Sequence, residues 1–179
     1  MGYTHYWRQQ RDFTETEWQE LTRLAKLITA DGQGILANEY DEENSKPTID
    51  SEQIRFNGKG KDGHETFIIT KKKRAKRQYE EQEAYDKGAF EFCKTAHKPY
   101  DKYVVAVLCA LYNLSNVPPQ RNRNAHPMRE ITSDGNTKDW TEGLFHAVRS
   151  TRREEMYCPI RDCLTLSYVD YVDQEKKTG

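Results

Sequence analysis

The chain has 179 residues, with 28 Lys plus Arg against 29 Asp plus Glu and a net charge of −1. Near-neutrality excludes a global electrostatic pull toward nucleic acid or anionic membrane, and eleven Tyr with three Trp exclude the aromatic-poor composition of a disordered chain. A single domain of this length buries roughly 70% of its unfolded surface; with 35% apolar and 32% charged residues, that core must be compact beneath generous loops.

In chain order, the aromatic-rich segment 2–7 alternates as a strand does. A helix follows. Thr14 and Glu17 form a capping box, and Phe13 and Trp18 are spaced as a hydrophobic staple. Trp18, Leu21, Leu24, Ala25 and Ile28 repeat at helical spacing, until Asp31-Gly32-Gln33-Gly34 stops the helix. Residues 38–52 are acidic and polar and read as a surface loop. Residues 53–56 and 65–70 read as two strands joined by the glycine-rich hairpin NGKGKDG.

A strand over 90–95 leads to Pro99, which suits the first turn of a helix, and Tyr103, Val104, Val107, Leu108, Leu111 and Leu114 continue that helix to about Ser115. Residues 116–127 hold three prolines and read as a loop, 130–133 as a short strand, and Trp140, Leu144, Ala147 and Val148 as the face of a third helix. Residues 164–172 supply an edge strand before a charged tail. Strands clustered between the first two helices predict a single α+β domain, with an antiparallel or mixed sheet and about three helices packed mainly on one face.

Polar residues gather where these strands end. His64 and Thr66, two apart on an expected strand, share a face and together could hold a phosphate, with His64 as general acid or base. That pair resembles half of the two-histidine phosphoesterase signature; the second copy that this chemistry needs is absent, since His5 precedes Tyr6-Trp7 and His97 precedes Lys98-Pro99. The alternative is an ordinary strand. The junction Cys93-Lys94-Thr95-Ala96-His97-Lys98-Pro99-Tyr100-Asp101 places Lys94, Lys98 and the Thr95 and Tyr100 hydroxyls at a helix start, which favours an anion. There Asp101 fits either the pocket or simply the first helical turn. Cys93 as a nucleophile would need a base such as His64 or His97 beside it. Asn57-Gly58-Lys59-Gly60 can let backbone amides approach a phosphate, though as a hairpin tip it needs no ligand.

The run KKKRAKR supplies Lys71, Lys72, Lys73, Arg74, Lys76 and Arg77 as a nucleic-acid contact. Glu80, Glu81 and Glu83 follow at once, and pairing with Lys76, Arg77 and Lys87 makes a self-compensating segment the stronger reading. Four cysteines (Cys93, Cys109, Cys158, Cys163) fit reduced thiols, and the Cys158/Cys163 pair lacks a second pair to complete four ligands. Neither a metal nor a cofactor is expected. No apolar run approaches the ~20 residues of a bilayer span, and MGYTHYWRQQ contains no apolar signal segment, so a cytoplasmic protein without a membrane partner is expected.

The blocks GYTHYW, FNG with HETF, and FCKTA with KPYD together resemble a group of uncharacterised bacterial and phage proteins over most of the chain up to the third helix. The resemblance transfers no catalytic residue. It implies context: a small cytoplasmic protein, in host cytoplasm if phage-encoded, that acts against host defence. The reading that follows is a binding protein whose pocket of His5, Asn57, His64, Thr66, Lys94, Thr95, Lys98 and Tyr100 holds an anionic, nucleotide-like ligand, with Tyr3 or Trp7 stacking on a base. A metal-independent phosphoesterase or hydrolase using His64 is the alternative. A third reading is an inhibitor that contacts a host protein or its nucleic acid.

Overall fold

The computed structural model describes residues 2–114, 125–160, 165–166 and 176–177. Its first sheet has the order β6-β1-β7, built from β1 (Thr4–Gln9), β6 (Ala89–Lys94) and β7 (Met128–Ser133), all antiparallel. The second forms around β4 (Gln53–Gly58), which pairs with β2 (Leu36–Ala37), β3 (Thr48–Ile49) and β5 (Phe67–Thr70). Three long helices, α1 (Glu15–Thr29), α3 (Asp101–Tyr112) and α4 (Thr137–Thr151), pack together, and a short α2 (Gln82–Asp86) lies against β6. The α+β class expected from the sequence is the class observed.

Local chemistry explains the long helices. Thr14 and Glu17 form the reciprocal capping box of α1, and the Phe13 and Trp18 rings meet at 5.2 Å. Asn136 caps α4 and exchanges bonds with Asp139 three residues on. Residues 103–112 of α3 are buried on every side, as an all-round apolar helix must be, which makes it the centre of the core.

Several boundaries differ from expectation. β5 begins at Phe67, because the backbone of 63–66 bends inward to bond with Asn57 instead of extending. The supposed loop 38–52 contains β3, and Trp18 Nε1 donates to Asp50 O at 2.9 Å, tying that segment to α1. Pro99 precedes α3 and lies outside its first turn. Of the expected C-terminal strand, Thr165–Leu166 is described and pairs as β9 with β8 (Met156–Tyr157); its other residues, Cys163 and most of the loop 116–127 lie outside the described residues. Among the described residues, no helix is long and apolar enough to cross a membrane.

Strand parity then sorts the first sheet's side chains. His5, Trp7 and Cys93 face inward and are buried, while Tyr6, Arg8, Phe90 and Phe92 lie on the opposite face. Trp7 packs edge-on to Phe67 of the second sheet, with ring centroids 5.4 Å apart. The two sheets therefore share one core.

Candidate functional site

The two polar blocks of the sequence do meet in space. Asn57 is fully buried, and its amide closes the loop between β4 and β5: Nδ2 donates to His64 O (2.9 Å) and Thr66 Oγ1 (3.0 Å), while Oδ1 accepts from the amides of Gly58 (2.7 Å) and His64 (3.0 Å). His64 and Thr66 are thus joined through Asn57, not by sharing a strand face. His64 Nδ1 is buried without a hydrogen-bond partner among the described residues.

From this loop, Glu65 N donates to Lys94 O and the Glu65 carboxylate accepts the Lys94 amide at 2.6 Å, docking the second sheet against the end of β6. Tyr100, also fully buried, donates its hydroxyl to Glu65 O at 2.7 Å. Lys98 Nζ donates to Lys61 O at 3.0 Å. Cys93 Sγ–H donates to the same Glu65 carbonyl, and burial pushes its thiol well above the ordinary range, so it has no nucleophilic thiolate. Between β6 and α3 the backbone turns through Ala96 (φ 50°) and His97 (φ 56°), two consecutive left-handed non-glycine residues; such conformations cost on the order of 1–2 kcal/mol each. The exposed His97 ring stacks on Tyr3 at 3.7 Å, covering one face of it.

The start of α3 already holds an anion, and it is the protein's own. Asp101 Oδ1 accepts from the Thr95 hydroxyl at 2.5 Å and faces His5 Nε2 at 2.8 Å, with its charge in the first helical turn where the dipole favours it. His5 Nδ1 lies 3.0 Å from Ser133 Oγ, and Ser133 Oγ accepts the Gly135 amide at 3.0 Å. Tyr3 and Trp140 meet the His5 ring edge-on, with centroids at 4.9 and 5.2 Å. Sequence reasoning singled out His5 and Thr95 but missed Ser133 and the role of Asp101. Both are ordinary turn residues until the sheet order places them.

Of the eight residues expected around one pocket, His5, Asn57, Thr95 and Tyr100 are buried and committed to internal bonds. His64, Thr66, Lys94 and Lys98 are half-buried. Tyr3 and Trp7, expected to stack on a base, are 4% and 3% exposed and belong to the core. The basic run is taken up locally. Arg74 bonds Glu80 and Glu91, Arg77 reaches Glu91, Lys71 pairs with Glu15, Lys73 sits over the Tyr85 ring, and Lys76 Nζ donates to Glu80 O. Self-compensation holds, with Glu91 and Glu15 as partners that the sequence neighbourhood does not reveal.

The outer face of the first sheet carries what the inner face lacks. Tyr6 stands opposite Phe92, and Arg8 opposite Phe90. Tyr6 and Phe90 lie near parallel at 6.0 Å, Phe90 and Phe92 meet at 6.1 Å, and the Arg8 guanidinium sits 5.0 Å from the Phe90 ring centre. Phe92 is 48% exposed. Beside this shelf a cleft of about 600 Å³ opens between α2 and the sheet, with Arg8, Lys87, Arg129, Glu81, Glu83 and Glu130 on its walls. A second cleft of about 420 Å³ runs along β7 and the turn after it, reaching Ser133, Gly135 and Ile160.

Comparison with family models, with curated proteins and with solved structures gave no match. No group of three or more His, Cys, Asp or Glu placed to hold a metal occurs among the described residues.

Proposed function

We propose that the protein binds a nucleotide-like anionic ligand on the outer face of its first sheet. The observation that supports this reading is the aromatic shelf of Tyr6, Phe90 and Phe92, joined through Arg8 to a 600 Å³ cleft. There Arg8, Lys87 and Arg129 stand among Glu81, Glu83 and Glu130, with Arg8 and Lys87 paired to Glu130 and Glu83. An open sheet face with adjacent rings suits base stacking, each stacked base contributing about 1–3 kcal/mol. The cations beside it suit phosphate oxygens, Arg8 and Arg129 through paired N–H donors. The cleft lies within the roughly 300–1,000 Å³ of small-ligand sites. In cytoplasm, and in a host cell if the gene is phage-borne, such a protein would sequester a signalling nucleotide.

Calorimetric titration with mononucleotides, cyclic dinucleotides and a short single-stranded RNA tests this. Binding that falls at least tenfold in both Phe92→Ala and Arg8→Met, with unchanged thermal unfolding, is expected. Absence of binding to every probe, or affinity untouched by both substitutions, overturns it. The hydrolase reading through His64 rests on the unpartnered Nδ1 alone; recovery of the ligand intact after incubation separates it from binding. Contact with a host protein through the basic segment has less support, because Lys71, Lys73, Arg74, Lys76 and Arg77 are engaged internally.

A further inference from the structure

Outside the outer face, one group of side chains has the geometry of a reaction centre. His5 Nε2 faces the Asp101 carboxylate at 2.8 Å, and His5 Nδ1 faces the Ser133 hydroxyl at 3.0 Å. A carboxylate can only accept, so in the neutral ring Nε2 carries the proton and Nδ1 presents its lone pair to Ser133 Oγ–H. The competing acceptor for that hydroxyl is the Thr4 carbonyl at 3.4 Å. The imidazole cannot rotate away, since Tyr3 and Trp140 hold it edge-on from two sides. His5 is fully buried, whereas Ser133 is half-exposed on the wall of the 420 Å³ cleft that also reaches Ile131, Pro159 and Ile160. The relay therefore runs from the protein interior out to a cavity whose walls mix Ile131, Pro159 and Ile160 with Thr132, Asn136 and Thr137.

Two more polar atoms lie close by. Tyr3 Oη and Trp140 Nε1 are buried polar atoms that complete no hydrogen bond among the described residues. Orphaned buried donors are rare because each carries a desolvation cost. The Ser133 hydroxyl and the Trp140 indole both lie near enough to the Tyr3 oxygen to favour its charged form, but burial and Asp101 outweigh them and hold the phenol protonated, hence a donor. Gly135 brings the turn onto this ring: a Cβ there would stand 2.6 Å from Tyr3 Oη. The Tyr3 oxygen thus sits beside Ser133, while neither Tyr3 nor Trp140 lines the cleft.

We propose that Ser133, His5 and Asp101 form a nucleophilic relay that hydrolyses small carboxylic esters admitted along β7. Ser133 Oγ bonds to the carbonyl carbon as its proton passes to His5 Nδ1 and the carbonyl π pair moves onto oxygen. That pair returns, the carbon–alkoxide bond breaks, and the departing oxygen takes the proton from Nδ1. Water, the second reactant, then adds to the acyl carbon and gives a proton to the same nitrogen. Ser133 Oγ leaves and recovers that proton, releasing the acid. Asp101 is a positioning residue: it fixes the tautomer and stabilises the imidazolium formed in each half-reaction. This activity is independent of ligand binding on the outer face.

A fluorophosphonate probe and p-nitrophenyl acetate test the proposal on the full chain. The expected result is one label per chain, mapped by mass spectrometry to Ser133, and a burst of nitrophenolate. Ser133→Ala should abolish both in a chain that still folds cooperatively, with a lowered midpoint because the Gly135 amide and His5 Nδ1 lose their partner. Asp101→Asn keeps an acceptor for Nε2 and should lower kcat for the ester with KM unchanged. Folded wild-type protein that takes no label, or a label and burst that persist in Ser133→Ala, overturns the relay and leaves these bonds a purely structural role.

Discussion

His5 Nε2 and Asp101 Oδ1 lie 2.8 Å apart although 96 residues separate them in the chain, and this contact pins the central strand β1 to the first turn of α3. Removing Asp101 leaves its two buried partners unsatisfied, at a cost of about 1–3 kcal/mol each. Asp101→Ala should therefore lower the urea midpoint strongly, since it orphans both His5 Nε2 and the Thr95 hydroxyl. Asp101→Asn retains an acceptor for both and should lose less than half as much. Equal losses for the two substitutions would show that charge, not hydrogen bonding, holds this junction.

Asn57 makes four hydrogen bonds from one amide group. Asn57→Ala deletes the acceptor of two backbone amides and the donor to His64 O, and unsatisfied buried groups cost about 1–3 kcal/mol each. The loop should open locally before the core does, because α1 and α3 do not depend on these bonds. Hydrogen exchange checks this. The Gly58 and His64 amides should lose protection in Asn57→Ala while the α3 amides keep theirs.

What was legible in the sequence followed range. The α1 boundaries could be read because a capping box, a staple and an apolar stripe all lie within fifteen residues of each other. The longer strands β1, β4, β5, β6 and β7 were readable from local pattern, whereas the two-residue strands β2, β3 and β8 were not. Which face of β1 would be buried was not: GYTHYW is rich in large rings on both parities, and only the order β6-β1-β7 decides that Trp7 goes inward and Tyr6 outward. His5, Asp101 and Ser133 belong to three segments with no local signal linking them. The anion expected at the α3 start was sound electrostatics, yet Asp101 itself satisfies it. Glu91, the strand partner of Arg74 and Arg77, lies beyond the helical spacing used to pair the basic run.

Gly143 sits inside α4 where α3 crosses closest. A Cβ at this position would stand 2.4 Å from Val105 Cγ1 and 3.0 Å from Lys102 O. Alanine gains about 1 kcal/mol of helix propensity over glycine, but Val105 is branched and stiff and the carbonyl is backbone, so neither yields cheaply. Overpacking of this kind costs about 1–3 kcal/mol. Gly143→Ala should therefore lower the thermal midpoint by a few degrees, and a rise would show that the helices separate without penalty.

Acid should weaken the fold in two stages, each assignable to named groups. His126 is buried with both nitrogens engaged: Nδ1 accepts the Met128 amide at 3.0 Å, and Nε2 donates to Leu111 O at 3.1 Å. His146 donates from Nε2 to Ile28 O at 2.7 Å and accepts from Arg149 at Nδ1. A second ring proton on His146 would place donor against donor, and one on His126 would exchange the Met128 amide for the Met128 carbonyl 3.0 Å away. Burial lowers both values below the ordinary 6.5. The unfolded chain takes up these protons first, so stability is full above pH 6.5 and falls as pH drops below it. Glu80 acts lower. The Arg74 guanidinium, helped by the Arg77 amide, holds its carboxyl down from 4.5 to about 2, so its contribution is complete above 4.5 and disappears as pH falls toward 2. Urea midpoints measured from pH 8 to 2 should show both declines. Glu80→Gln should leave the first intact and flatten the second without abolishing it, because Glu17 and Glu20 are held low by arginines of their own. NMR titration of His126 with a midpoint at or above 6.5 would contradict the first stage.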